Sequence, residues 1–128
     1  MTIDSSVLVA ILLAEPGHLD LVDRILDAGA ARVGAPTLAE TGIVLTARAG
    51  KSGLRQVTDL VRELGITVVP FGETEWQAAV AAYQRYGRGR HKAGLNFGDC
   101  LSYATASVAG DTLLFVGDDF ALTDIAPA

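Results

Sequence analysis

Short apolar or β-branched runs alternate with longer stretches of helical period along the whole chain, and no Asn-Gly or Asp-Gly pair sits between two strand-like runs to close a hairpin. Parallel neighbours need a crossover, so this alternation predicts an α/β fold: a parallel sheet with helices on both faces. Thr2-Ile3, Arg32-Val33-Gly34, Ile66 to Val69 and Thr112 to Val116 are the strand-like runs. The last is apolar from Leu113 to Val116, as suits a strand covered on both faces. Between them, polar N-cap residues at Asp4-Ser5-Ser6 lead into a helix that stops at Glu15-Pro16-Gly17. Leu21, Val22, Ile25 and Leu26 mark an amphipathic helix from Leu19 to Ala28. Pro36 suits the first turn of a helix running to about Gly50, and Leu54 to Leu64 form another, closed by Gly65. Alanine content and the spacing of Trp76, Ala79, Val80 and Tyr83 make Glu73 to Tyr86 helical; Asn96 or Phe97 opens the last helix, to about Ala109.

With 128 residues, half of them apolar and a fifth charged, the chain is one domain, residues 1–128, with a core of its own. Cys100 stands alone, so no internal disulfide is available, and the start Met1-Thr2-Ile3-Asp4 does not read as the basic n-region of a secretory leader. The longest apolar runs fall far short of the ~20 residues that span a bilayer. The expectation is a soluble cytoplasmic domain with no membrane partner. Fifteen acids against ten bases give a net charge of −5, which disfavours contact with duplex nucleic acid over a broad surface. Neither Gly-x-x-x-x-Gly-Lys-Ser/Thr nor a Gly-x-Gly-x-x-Gly after a strand is present, which disfavours nucleotide cofactors.

In open parallel sheets, sites form beyond the carboxyl ends of the strands, and there the chain places acids. Asp4 follows the first strand, as an N-cap or as a metal ligand. Glu40 is three, four and seven residues before Ile43, Val44 and Ala47, which puts it on their inward stripe, where an unpaired carboxylate is costly. Asp99 opens the last helix, as a dipole partner or as a ligand. Asp118 and Asp119 follow Gly117 at the end of the fourth strand run. Each has an ordinary structural explanation alone, yet at least three of them fall near strand ends or helix starts on the same rim of the predicted sheet. Without these five acids the chain would carry as many acids as bases. An all-oxygen donor set favours Mg²⁺ or Mn²⁺ over zinc, and such ions activate water and neutralise a phosphodiester during in-line attack.

The series Ile3-Asp4-Ser5-Ser6, Leu38-Ala39-Glu40, Asn96-Phe97-Gly98-Asp99-Cys100 and Phe115-Val116-Gly117-Asp118-Asp119-Phe120 resembles the PIN-domain ribonucleases, more closely the VapC toxins of bacterial toxin–antitoxin pairs. The segment from Tyr86 to Asp99 is similar to one branch of those toxins, and the likeness spans essentially the whole chain. It implies a PIN-like α/β/α sandwich around a parallel sheet of four to five short strands, Mg²⁺- or Mn²⁺-dependent endonucleolytic cleavage of RNA, a homodimer, and inhibition by a cognate VapB-type antitoxin. Carried over by position, Asp4 and Asp99 are the principal metal ligands, and Glu40 completes the acidic pocket. Many members end the fourth strand in Thr-Asn-Asp where this chain has Phe115-Val116-Gly117. The fourth acid is therefore Asp119, which precedes Phe120, or its neighbour Asp118.

Arg85, Arg88, Arg90 and Lys92, interleaved with Gly87, Gly89 and Gly94, form a cationic segment just before Asp99; phosphate contact with RNA and a solvated turn both fit it. Ser5 and Ser6 cap the first helix or bond a carboxylate or phosphate, and His91 is not needed as a base beside a metal-activated water. Cys100 reads as a small buried hydrophobe; Trp76 and Tyr83, seven apart, read as core or interface packing rather than base-stacking platforms. Two other functions compete. A non-catalytic PIN-fold binding or regulatory module would keep the fold without turnover, and metal-dependent RNA cleavage separates it from the nuclease. A phosphotransfer domain with an aspartyl nucleophile is disfavoured, because Ser6 stands where a second Asp would be required.

Overall fold

The computed structural model describes residues 1–49 and 52–128. The chain runs β1 (Thr2–Ile3), α1 (Ser5–Leu12), α2 (His18–Asp27), β2 (Arg32–Gly34), α3 (Ala35–Ala49), α4 (Gly53–Glu63), β3 (Thr67–Val69), α5 (Glu73–Tyr86), α6 (Phe97–Ala109) and β4 (Leu113–Leu114). The predicted end of α3 at Gly50 lies outside the described residues.

The four strands pair in the order β3-β2-β1-β4, parallel throughout. The chain therefore builds outwards from β1 to β3 and then crosses back to the far side of β1. That reversal puts the topological switch point between β1 and β4, where the crevice at the carboxyl ends of the strands opens. Thr2 is in register with Leu113 and Ile3 with Leu114, and the Asp4 N–H donates to Leu114 O at 2.9 Å. Asp4 and the Gly117-Asp118-Asp119 turn thus leave the sheet side by side.

Strand alternation explains why the sheet needs so few residues. Leu113 packs with Tyr86, Leu95, Leu101, Tyr103 and Phe120 under α5 and α6, whereas Leu114 joins Ile3, Val7, Leu8, Ile25 and Val33 on the α1 and α2 side. Two successive leucines therefore serve two cores. Thr67 and Val68 on the edge strand β3 are exposed, and among the described residues no helix is long and apolar enough to cross a membrane.

Three local readings are corrected. β4 ends at Leu114 rather than Val116, because Phe115 turns onto Phe120 (ring centroids 5.1 Å apart) and the Val116 N–H donates to Ser6 Oγ instead of to a strand. The C-terminal segment supplies only an isolated bridge, Leu113 with Pro127. The buried stripe of α3 is Thr37, Thr41 and Leu45, not Ile43, Val44 and Ala47; Ile43 is 71% exposed. Hydroxyls let that stripe sit close to α6, since Thr41 Oγ1 donates to Thr37 O and Thr37 Oγ1 lies 3.3 Å from Ser102 Oγ. Trp76 (52% exposed) and Tyr83 face outwards from α5, so of core and interface packing the core alternative is removed.

Leu8 is fully buried in the α1 and α2 core. Leu8→Ala is expected to lower the urea unfolding free energy by about 3 kcal/mol with an unchanged denaturant slope; a loss below about 1 kcal/mol would contradict the packing described.

Candidate active site

Asp4 caps α1 from the end of β1. Its Oδ2 accepts from the Ser6 N–H at 2.9 Å and from Ser6 Oγ at 2.6 Å, while Oδ1 is buried and has no hydrogen-bond partner. The whole residue is only 4% exposed. Burying a carboxylate oxygen without a partner is costly, so this oxygen is free for a ligand that the protein itself does not provide.

Asp99 repeats the arrangement at the start of α6. Asn96 Oδ1 accepts from the Asp99 N–H at 2.9 Å and Asp99 Oδ2 accepts from the Asn96 N–H at 2.8 Å, a reciprocal capping box. Burial, opposed by the Asn96 N–H and reinforced by the charges of Asp119, Asp4 and Glu40, pushes the Asp99 carboxyl up to about 6. Four acids therefore share one electrostatic environment.

Glu40 reaches that environment from α3. Ser5 Oγ, at the start of α1, donates to Glu40 Oε1 at 2.8 Å, and the carboxyl group rests against Gly98 in the first turn of α6. The sequence placed Glu40 on an inward stripe with the wrong companions; the half-buried side chain points to the α1 and α6 helix starts instead. Asp119 is among the groups that raise Asp99, and Asp118 is not. Both are exposed.

Among the described residues, no three acidic, histidine or cysteine side chains close into a ready metal cluster. Like charges with no cation between them have no reason to close up. The donors themselves fit a hard divalent ion: all are carboxylate oxygens, and Asp4 Oδ1 is a buried one left unpartnered.

The basic segment folds as a tight turn between α5 and α6. Arg88 N–H donates to Leu95 O, Leu95 N–H to Tyr86 O, and His91 Nδ1 accepts from the Ala93 N–H at 3.0 Å. Arg85 lies apart from the rest: its guanidinium pairs with Asp124 at 2.7 Å and lies over the Tyr86 ring. The same Asp124 accepts from the Tyr103 hydroxyl at 2.6 Å. Arg88, Arg90 and Lys92 make no ion pair with any described carboxylate. Cys100 is buried, and desolvation with the neighbouring Asp99 charge pushes its thiol up to about 11, which leaves it a poor nucleophile.

Residues 1–126 match the PIN domain family, and the Ribonuclease VapC of Mycolicibacterium smegmatis is 43% identical to this chain over 98% of both proteins. The chain belongs to the VapC branch of the PIN-domain family. Ribonuclease VapC36 of Mycobacterium tuberculosis is 44% identical, over 98% of this chain and 91% of that protein. Ribonuclease VapC30 of the same species is 41% identical, with 98% and 96% covered. The crystal structure of Mycobacterium tuberculosis VapC20, described as a sarcin-ricin loop cleaving toxin, superposes with a TM-score of 0.78 at 16% identity, over 99% of this chain and 97% of that one. The PIN-like parallel α/β fold of this VapC chain is thus shared well beyond recognisable sequence.

The raised Asp99 carboxyl has a consequence for stability. In the metal-free protein the folded state keeps this proton up to about pH 6, whereas the unfolded chain releases it near 3.8. The folded state thus binds more protons between these values, and stability falls as pH rises through the window. Asp99→Asn keeps the cap and removes the charge, so at neutral pH the metal-free variant is expected to be more stable than metal-free wild type by up to about 3 kcal/mol. Thermal melts with chelator should show that gap closing towards pH 4, and equal stabilities at neutral pH would refute it.

Proposed function

We propose that this chain is the toxin of a type II toxin–antitoxin pair, an endoribonuclease that cuts RNA phosphodiester bonds with Mg²⁺ or Mn²⁺ held by Asp4, Asp99 and Glu40. Asp119 is the fourth acid, in preference to Asp118, because its charge bears on Asp99. The observation that carries the reading is Asp4 Oδ1, a buried carboxylate oxygen without a partner, inside a group of acids whose mutual repulsion calls for a cation. Names of the relatives support it: proteins 41–44% identical across the chain are called ribonucleases.

Each residue has a defined task. Asp4 and Asp99 each commit one oxygen to a helix cap, which fixes the carboxyl plane, and each offers the other. Glu40, steadied by Ser5, accepts a hydrogen bond from the attacking water and orients it. The cation, when bound, supplies water activation and offsets charge on the phosphodiester. Arg88, Arg90 and Lys92, unpaired and presented by a hydrogen-bonded turn, hold flanking phosphates; Arg85 contributes by anchoring the segment through Asp124.

Two protein partners follow from the family: a second copy of the chain and a VapB-type antitoxin. The surface offers room for both. Apolar clefts of about 690 and 620 Å³ flank α3, one against α4 and the other against α5 and α6, with Ile43 on the ridge between them. The site of action is the cytoplasm, where RNA is the substrate.

Antitoxin-free protein incubated with total RNA should give discrete fragments only with Mg²⁺ or Mn²⁺, and Asp4→Asn/Asp99→Asn should lower the rate by more than about 100-fold. Equal cutting by wild type and variant would expose a contaminant; no cutting of any RNA would favour a binding module without turnover. Replacing Arg88, Arg90 and Lys92 together by Ala is expected to raise KM about tenfold or more and to flatten its salt dependence. An unchanged salt slope would remove the turn from the RNA path.

A further inference from the structure

We propose that Gly98 is a positioning residue: its missing side chain is the space that the Glu40 carboxylate occupies at the start of α6. The inference rests on the nuclease reading above and deepens it.

Gly98 is the second residue of α6, in the first turn, where a side chain would ordinarily be accommodated and glycine only adds backbone freedom for folding to remove. Conformation does not require it, since Gly98 is absent from the glycines with positive φ, unlike Gly110, which ends the same helix in the left-handed region. Space does. A Cβ at position 98 would stand 2.9 Å from Glu40 Cδ and 3.0 Å from Oε1, and closer still to Oε2. The three atoms nearest to it all belong to the Glu40 carboxyl group. The carboxyl group is thus held between two helix starts, by the Ser5 hydroxyl from α1 and by the bare backbone of Gly98 from α6. The next residue is Asp99, so the same turn that carries one acid seats another beside it.

What a methyl group would displace sets this glycine apart from the others with close neighbours. At Gly34 an added Cβ would meet the short, buried side chain of Thr105, at Gly53 the backbone of Thr46, and at Gly87 the carbonyl and ring of Tyr83, so the packed fold itself would have to give. At Gly98 the obstructing atoms are the end of a long flexible side chain. Alanine is therefore expected to leave the fold standing and to drive the Glu40 carboxylate from its seat, breaking the bond to Ser5.

Four proteins test this: wild type, Gly98→Ala, Glu40→Asp and the double variant, with Gly42→Ala as a control. Gly42 is on the same helix as Glu40, and a Cβ there meets nothing within 4 Å. In chelator, Gly98→Ala should melt within about 2 °C of wild type, and its metal-free crystal structure should show Glu40 away from Ser5. Its Mn²⁺ affinity by calorimetry should fall about tenfold, and kcat on RNA on the order of 100-fold with KM little changed. Glu40→Asp shortens the acid by one methylene, so the double variant should bind Mn²⁺ and cleave better than Gly98→Ala alone, a rescue that a merely structural glycine would not give. Gly42→Ala should match wild type in Mn²⁺ affinity and cleavage and melt no lower than it, since alanine favours a helix interior. The proposal is overturned if Glu40 keeps its bond to Ser5 in Gly98→Ala, if that variant melts far below wild type, or if the double variant shows no rescue. Should wild type cut no RNA with any divalent ion, the nuclease reading fails, while the crystal structure and the Mn²⁺ affinity still decide the role of Gly98.

Discussion

Like charge at the carboxyl edge of the sheet is the constraint around which the structure is organised. Asp4 and Asp99 are buried within one another's field and that of Glu40 and Asp119, an arrangement that opposes folding in the absence of a cation. Two apolar cores, one on each face of a four-stranded sheet, offset this cost. The acids are held in place by the most local devices available. Ser6 alone donates twice to Asp4, through its N–H and its hydroxyl, and the same hydroxyl oxygen accepts from the Val116 N–H. One serine thereby ties the end of β1, the start of α1 and the segment after β4 into a single junction at the switch point.

Capping and metal ligation are often weighed as alternatives for an aspartate at a helix start. Here they are compatible, because a carboxylate has two oxygens. Asp4 and Asp99 each give Oδ2 to a backbone N–H of their own helix start, and that bond sets the direction in which Oδ1 points. The structural role becomes the means of preorganising the chemical one. A carboxylate free to rotate would satisfy its lone pairs with water; one fixed by its cap is already oriented towards its neighbours.

The sequence made the architecture legible because alternation of strand and helix leaves few topologies open, and the capping residues marked α1 and α6 within a residue or two. Asp4 and Asp99 were legible for the same reason: each stands at a punctuation point of the chain. Glu40 was found through a mistaken companion set. Helical period identified a stripe, but the stripe that packs on α6 is built on Thr37 and Thr41, whose hydroxyls bond within the helix and to Ser102, so hydrophobicity pointed to Ile43 instead. The shortened β4 escaped because an aromatic pair, Phe115 with Phe120, competes with continued strand pairing and leaves no mark in local propensity. The tie of Arg85 to Asp124 spans 39 positions, and such a contact has no local signature. Gly98 had one faint signal, a glycine within the first turn of a helix, which acquires meaning only when a carboxylate from another helix is found beside it.

Asp111 supplies the contrast that gives the orphan oxygen of Asp4 its meaning. It lies just before β4, at the opposite edge of the same sheet, and its Oδ2 accepts from Arg32 Nε at 2.9 Å and from Thr2 Oγ1 at 3.0 Å. The two aspartates flank the same pair of adjacent strands, one before β4 and one after β1, so the fold can bring a guanidinium and a hydroxyl to a carboxylate where the acid serves only stability. At the other edge no cation among the described residues pairs with Asp4: Arg88, Arg90 and Lys92 are placed on the turn leading into α6, and the remaining oxygen of Asp4 stays unpartnered. An acid completed by the protein and an acid left incomplete, at opposite ends of the same strand pair, differ in what the fold supplies rather than in residue type, and only the second has binding capacity left for a cation from outside.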